Sequence, residues 1–319
     1  MLPVRASVVL LTYNQEALVQ EALQSLFDQD YDDVEIVVSD DGSTDATWQL
    51  ILQAVSQYTG NKRVVLNRNE PNLGIVGNYF KAFGLTTGDV IFTAAGDDVS
   101  LPDRCSACIS TWMETGRVVD LIATDGFDML LSGDIAGLKE TDELSQWSFE
   151  AWTQARPFIF GASHMMTRRL LQLRTLDPGL PVEDQNLVAR ALLMGGAKRL
   201  ALPLVKHRRG GVSQMKTRLS YREKIDRLIR SAHESLLERS EILQDAARLG
   251  LQVEHFLLMQ LRLASYTTSI FQATRFAEKL SVFKAYSDVP LSKRLRFIQL
   301  ALFPVANTNL MKFKNFLLH

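Results

Sequence analysis

Glu35–Thr47 reads EIVVSDDGSTDAT, an apolar strand that runs straight into two adjacent carboxylates, a glycine and a Ser-Thr-Asp run. The strand pattern ends at Ser39, and Asp40 and Asp41 follow with no polar spacer. Gly42 suits a sharp turn, and Ser43 and Asp45 suit the capping of a following helix. Capping explains Ser43 and Asp45 but leaves the doubled acid unexplained. At the carboxyl end of a strand in an open α/β sheet, a carboxylate is placed to accept hydrogen bonds from a nucleobase or ribose.

Moving outward, short β-branched runs alternate with helical patterns. Ser7–Thr12, Glu35–Ser39, Arg63–Leu66, Asp89–Ala94 and Val119–Thr124 read as strands. Residues 15–27, 46–58, 74–85 and 102–115 read as helices. The first four strands are nearly all apolar, as expected when both faces are covered. The alternation predicts a doubly wound, mostly parallel α/β sheet. From Asp125 to Trp147 the pattern weakens into Gly, Asp and Ser and predicts a loop or irregular insertion. A strand or loop entering a helix (158–173), a helix (182–196) and a strand ending in a basic glycine turn follow. Beyond about Ser213 only helical periodicity remains. The predicted organisation is residues 1–213 as an α/β domain, with halves meeting near 124, and 214–319 as a helical subdomain.

Four constellations carry the chemistry. The first is Asp40-Asp41. The second is GDD, with Asp97 and Asp98 after another strand: two carboxylate pairs on one sheet edge create a charge that favours a bound cation. Oxygen ligands select Mg²⁺ or Mn²⁺, which normally bridge to substrate phosphates. The third is Glu183-Asp184 before a helix, which serves either the helix dipole or general base catalysis. The fourth, Lys206-His207-Arg208-Arg209 before two glycines, is a basic turn able to fold over a diphosphate.

These blocks resemble glycosyltransferase family 2, in the order SVVLLTYNQEALVQEALQSLFDQDYDDVEIVVSDDGSTDAT, NEPNLGIVGNYFKA, TTGDVIFTAAGDDVSLPD, PVEDQNLVARALLMGG and HRRGGVS, over about 7–213. The resemblance implies a GT-A fold and inverting transfer of a sugar from a nucleoside diphosphate sugar, UDP or dTDP foremost, to a hydroxyl of a glycan or lipid-linked acceptor. Bacterial surface polysaccharide such as lipopolysaccharide is the implied setting. It places Thr12, Tyr13, Asn14, Asp40, Asn78 and Asp97 at the nucleotide, with Asp41 as local support. Asp97 and Asp98 fall on Mg²⁺ or Mn²⁺, Asp184 is the base, and Glu183, His207, Arg208 and Arg209 are near diphosphate or acceptor. Two positions depart from the family pattern: Ala95 stands where many members carry the first acid of D-x-D-D, and Arg209 takes the usual place of a histidine.

Bulk properties agree with an ordinary globular protein: 319 residues, 46% apolar, 22% charged and a net charge of -1, with no pattern for nucleic acid. The apolar start is too short for a signal peptide core and no run reaches the ~18 residues of a membrane span, which predicts a cytoplasmic protein. Lys206–Arg230 holds nine basic against two acidic residues, and Leu291–His319 five against none, interleaved with Phe297, Phe303, Phe313 and Phe316. That predicts either solvated helix faces or a peripheral contact with the inner face of the membrane. Cys105 and Cys108 share a predicted helix face and read as packing residues. Rival classes are a nucleotidyltransferase and a non-catalytic binder of sugar nucleotides or glycans; a dehydrogenase would need a glycine-rich turn that LLTYNQEA lacks.

Overall fold

A computed structural model describes residues 4–209 and 220–302. In chain order the elements are β1 (Ala6–Thr12), α1 (Val19–Phe27), β2 (Val34–Asp40), α2 (Thr47–Gln57), β3 (Arg63–Arg68), α3 (Gly74–Phe83), β4 (Val90–Ala95), β5 (Val99–Ser100), α4 (Arg104–Glu114), β6 (Leu121–Met129), β7 (Ile135–Lys139), α5 (Phe149–Gln154), β8 (His164–Thr167), α6 (Arg168–Gln172), α7 (Asp184–Leu193), β9 (Ala197–Arg208), α8 (Tyr221–Arg248), α9 (Glu254–Gln272), α10 (Phe276–Ala285) and α11 (Leu291–Leu302).

The chain forms two compact units. Among the described residues, the first holds 4–209 together with Gln244–Leu251, and the second holds 220–243 and 252–302. In the first, one sheet runs in the order β3-β2-β1-β4-β8-β6-β9-β5, with β7 beside β6. β3, β2, β1 and β4 are parallel; β8 is antiparallel to both β4 and β6, so β6 and its parallel partner β9 point the same way as β1. The carboxyl ends of β1, β2, β4, β6 and β9 therefore share one edge with the start of β8.

β1 and β2 owe their form to continuous apolar runs: every residue of β2 is buried, and Val8, Leu10, Ile36 and Val38 pack with Leu23, Leu26, Ile51 and Trp112 of the flanking helices. Each such side chain contributes on the order of 1.5–3 kcal/mol. Cys105 and Cys108 lie in this core on α4, their thiols pushed up to about 12 by burial, which makes them packing residues. β3 is the exception to the covered-strand expectation, being an edge with exposed ends. The 125–147 stretch is also more ordered than its composition suggests: β6 runs on to Met129 and turns back as β7. Glycines and aspartates in that hairpin hide the strand period, and β7 is largely exposed, so no apolar alternation marks it.

Gly42 has φ +74, and a β-carbon there would stand 3.0 Å from the Asn69 carbonyl. The Asp-Asp-Gly turn needs glycine for both reasons. Helix α2 starts later than the capping pattern suggests. Asp45 accepts from the Thr47 N–H, but Ser43 turns its hydroxyl to Asp40 instead.

The second unit is helical, centred on Tyr266, Ile270 and Val289 with Phe271, Val282, Phe297 and Ile298 around them. Arg262 pairs with Asp288, and Tyr266 donates to the Arg294 carbonyl. Among the described residues no helix is long and apolar enough to cross a membrane. Gly210, Gly211 and Ser213 of the basic turn, and the tail phenylalanines 303, 313 and 316, lie outside the described residues.

Candidate active site

The shared strand edge opens into a cleft of about 610 Å³. One wall carries Thr12, Tyr13, Gln15 and Asp41, the floor Asp97 and Asp98, and the far wall Gly161, Glu183, Asp184, His207 and Arg209. Residues as far apart in the chain as Thr12 and Arg209 thus meet because β1, β4 and β9 end together.

The doubled carboxylate divides in an unexpected way. Asp40 is fully buried and does not line the cleft. Its oxygens accept from Thr12 Oγ1 (3.2 Å), Ser43 Oγ (2.5 Å) and Ser43 N (3.0 Å), and Arg68 Nε stands 3.5 Å away. The expected contact between Asp40 and a nucleotide is therefore corrected: its bonding is spent inside the protein. Asp41 reaches the cleft instead. Its Oδ1 accepts from Asn69 Nδ2 and Leu73 N, both at 2.9 Å. Asn78 lines the cleft, but its amide is committed as well: it donates to the Ser39 carbonyl and accepts from Ser39 Oγ and Asn69 Nδ2. It braces Asp41 through Asn69.

Thr12 and Tyr13 line the cleft as expected, Tyr13 41% exposed. Asn14 does not. With φ 50 it turns away and stitches two loops, donating to Ser43 Oγ and accepting from Thr44 N.

At the end of β4, Asp97 lines the cleft and no described residue hydrogen-bonds its carboxylate. Asp98 is 8% exposed, and its Oδ1 accepts the Arg208 N–H at 2.8 Å. Burial, then Asp97, pushes Asp98 up to about 7, opposed by that N–H, Lys139 and Arg104. Arg104 is a wholly buried cation behind the site, bonded to Ser100 Oγ and to the carbonyls of Thr93 and His164. Among the described residues no three His, Cys, Asp or Glu are grouped to hold a metal. Two adjacent carboxylates at an open cleft nonetheless suit a hard divalent cation that completes its shell with water and phosphate oxygens.

Glu183 and Asp184 open α7, Glu183 buried and Asp184 partly exposed to the cleft. Burial first, then the neighbouring carboxyl, pushes Glu183 up to about 8; burial raises Asp184 to about 6, against hydrogen bonds from Glu183 and the Gly161 N–H. Glu183 Oε2 has no hydrogen-bond partner. A side chain at position 161 would collide with the Asp184 carboxylate, so the glycine is what lets it sit there.

The basic turn also divides. Arg208 is a latch: Nη2 donates to Glu21, Nε to the Asp97 carbonyl, and Nη1 to the carbonyls of Leu130 and Leu131. Arg208 lines the cleft, but with its side chain 3% exposed its guanidinium is committed to these partners, which makes it a structural latch. Arg209, 55% exposed at the cleft, pairs with Asp128 at 2.5 Å. His207 lines the cleft, its edge toward Phe160, and its Nδ1 lies 3.3 Å from Lys139 Nζ. Burial and Lys139 lower its pKa and favour the neutral ring. Lys139 also pairs with Asp128 and lies over Phe158 and Phe160.

Sequence reasoning missed Gln15, Gly161 and the Lys139–Asp128 pair, and took Asp41 for support. No periodic signal marks the first three. A parallel strand covered on both faces does not announce which of two terminal acids faces the cleft.

The family model for glycosyl transferase family 2 matches residues 7–143. Residues 7–143 belong to glycosyl transferase family 2. Among curated relatives of this chain are an uncharacterized glycosyltransferase of Haemophilus influenzae, 32% identical over 96 residues (30% of this chain, 29% of that protein), and the GalNAc(5)-diNAcBac-PP-undecaprenol beta-1,3-glucosyltransferase of Campylobacter jejuni, 31% identical over 110 residues (34% of each). The chain spans well under half the length of such relatives. Solved structures extend the likeness to the whole fold. Staphylococcus aureus TarS 1-349 in complex with UDP superposes with a TM-score of 0.53 at 18% identity, covering 92% of this chain and 81% of that one. The mannosyltransferase PcManGT of Pyrobaculum calidifontis in complex with GDP-Man and Mn²⁺ gives 0.52 at 17%, covering 96% and 87%. The chain thus has the GT-A fold, a curled and largely parallel sheet with added C-terminal helices.

Proposed function

We propose that this protein is an inverting glycosyltransferase that moves a sugar from a nucleoside diphosphate sugar to a hydroxyl of a glycan or lipid-linked acceptor in bacterial surface polysaccharide assembly. One observation carries the reading: a single cleft joins an acid pair on a strand end, Asp97 and Asp98, to a second, proton-sharing pair on a helix start, Glu183 and Asp184.

Tyr13 offers its ring to the base, and the Asp41 carboxylate accepts from the base or ribose. The acceptor hydroxyl approaches Asp184, which takes its proton as the oxygen attacks the anomeric carbon opposite the leaving diphosphate. A carboxylate with a raised pKa is the better base for that step. Asp97 and Asp98 would hold Mg²⁺ or Mn²⁺, which when bound supplies charge stabilisation to the diphosphate. Arg209 is the guanidinium free enough of the fold to add to it. UDP and GDP-Man in the related structures support a nucleotide-sugar donor, with UDP or dTDP the sequence-based expectation.

The halves of 1–213 would divide donor from acceptor, with 214–319 as the accessory helical part. In α11 Leu291 and Leu295 are exposed beside Lys293 and Arg296 with no acidic residue, which supports a peripheral contact with an anionic membrane at its cytoplasmic face. Liposome flotation tests this, and failure to bind anionic vesicles would remove the membrane part.

The central test is release of nucleoside diphosphate from a panel of UDP-, GDP- and dTDP-sugars with Mn²⁺. Turnover should vanish in Asp184→Asn while UDP or GDP binding persists. A chain that binds nucleotide but turns over no donor with any acceptor glycan would be a binder instead.

A further inference from the structure

Past His207 the far wall of the cleft continues into an aromatic and cationic cluster that the transfer step leaves unused. Phe158, in the segment between α5 and β8, is 51% exposed. It is nonetheless held in place: its N–H donates to Asp142 Oδ2 at 2.8 Å, and its carbonyl accepts the Asp142 N–H at 3.0 Å. An exposed ring on a pinned backbone is a preformed apolar face, which a ligand can use with little ordering cost.

Lys139, the last residue of β7, joins that ring to the cleft. Its Nζ lies 5.6 Å from the Phe158 ring centre and 5.2 Å from that of Phe160. It also stands 3.4 Å from Asp128 Oδ1 and 3.3 Å from His207 Nδ1. An ammonium only donates, so His207 Nδ1 accepts and the neutral imidazole carries its hydrogen on Nε2. Two of the three ammonium hydrogens go to Asp128 and His207, and among the described residues no acceptor takes the third, on a side chain 15% exposed. An apolar face with two N–H donors beside it matches a pyranose, which presents a carbon face ringed by hydroxyl oxygens.

The chain itself limits the distance to the base. Gly161 lies against the Asp184 carboxylate, and the three residues back to Phe158 span at most about 11 Å. A terminal acceptor sugar at Asp184 therefore leaves its neighbour in the glycan within reach of the Phe158 ring.

We propose that Phe158, Lys139 and His207 form a subsite for the second sugar of the acceptor glycan, with the ring as platform and the two side-chain N–H groups as donors to its hydroxyls. This rests on the reading of Asp184 as the base that receives the terminal sugar. The enzyme then extends an existing sugar chain and does not start one on a monosaccharide.

The test uses the full chain with UDP and Mn²⁺. The probes are cellobiose, N,N′-diacetylchitobiose and lactose, set against the methyl glycosides of glucose, N-acetylglucosamine and galactose. Protein labelled with fluorophenylalanine gives a fluorine resonance for Phe158, assigned by its loss in Phe158→Leu. At least one disaccharide should shift that resonance and bind about three- to tenfold more tightly than the methyl glycoside of its terminal sugar. The advantage should disappear in Phe158→Ala, return in Phe158→Tyr and shrink in Lys139→Met. Disaccharides that bind no better than the monosaccharides, an advantage that survives Phe158→Ala, or a Phe158 resonance that no sugar moves would each overturn the proposal. Should Lys139→Met not fold, the Phe158→Ala and Phe158→Tyr pair decides alone, since that side chain is at the surface. Turnover absent with every donor would instead remove the transferase reading, and the sugar titrations would still report on the subsite.

Discussion

Asp40 and Asp41 are consecutive residues with opposite roles: Asp40 is bonded by Thr12, Ser43 and Arg68 inside the protein, while Asp41 presents its carboxylate to the cleft. Asp40→Ala leaves the buried Thr12 and Ser43 hydroxyls short of an acceptor and the partly exposed Arg68 short of its ion pair, and should cost about 1–3 kcal/mol, read as a lowered melting temperature. Asp41→Ala should fold, with a smaller loss of stability, yet bind UDP or GDP at least tenfold more weakly by calorimetry. Equal effects of the two substitutions on nucleotide affinity would refute the division.

The Glu183–Asp184 pair sets two pH dependences. Raised folded pKa values, about 8 and about 6, mean that the folded state binds more protons than the unfolded one above about pH 4, so stability falls as pH rises and levels off beyond about 8. Glu183→Gln removes much of that slope, and melting curves at pH 5 and pH 8 should converge for the variant. Activity should instead rise through about pH 6 as Asp184 ionises. A flat rate profile from pH 5 to 7 would contradict its assignment.

Gly161→Ala places a methyl against the Asp184 carboxylate. Displacement of a reacting group by about 1 Å costs on the order of 100-fold in rate. Single-turnover kinetics should show that loss in kcat with nucleotide affinity near wild type; a loss confined to KM would mean that Asp184 does not act in the chemical step.

Arg208 and Arg209 should also separate. Arg208→Ala breaks the latch to Glu21 and the Asp97 carbonyl, with a cost of about 2–4 kcal/mol in denaturant unfolding. Arg209→Ala removes an exposed pair with little stability and should reduce diphosphate release from the donor. A destabilised Arg209→Ala protein with normal turnover would reverse the two roles.

Much of this was legible in the residues because parallel-strand runs and helix periods are local. SVVLLT and EIVVS could only be covered strands, and their alternation with helices placed Asp97, Asp98 and the 40–41 acids on one edge. The 125–147 hairpin was not legible, since Gly126, Gly133 and Gly137 suppress any apolar period. Nor did sequence distinguish Arg208 from Arg209: both are basic residues at a strand end, and only the approach of α1 and the Leu130-Leu131 turn consumes the first.

Sequence by itself determined the sheet, its chemically loaded edge and the family, because those follow from short-range pattern and ordered motifs. Tertiary structure alone decided which member of each charged pair is available. Asp41 rather than Asp40 lines the cleft because the Asp40 carboxylate is wholly buried among Thr12, Ser43 and Arg68, and Arg209 rather than Arg208 keeps an exposed guanidinium there because that of Arg208 is taken up by Glu21, 187 residues away; that contest for buried hydrogen bonds is settled only when distant segments meet.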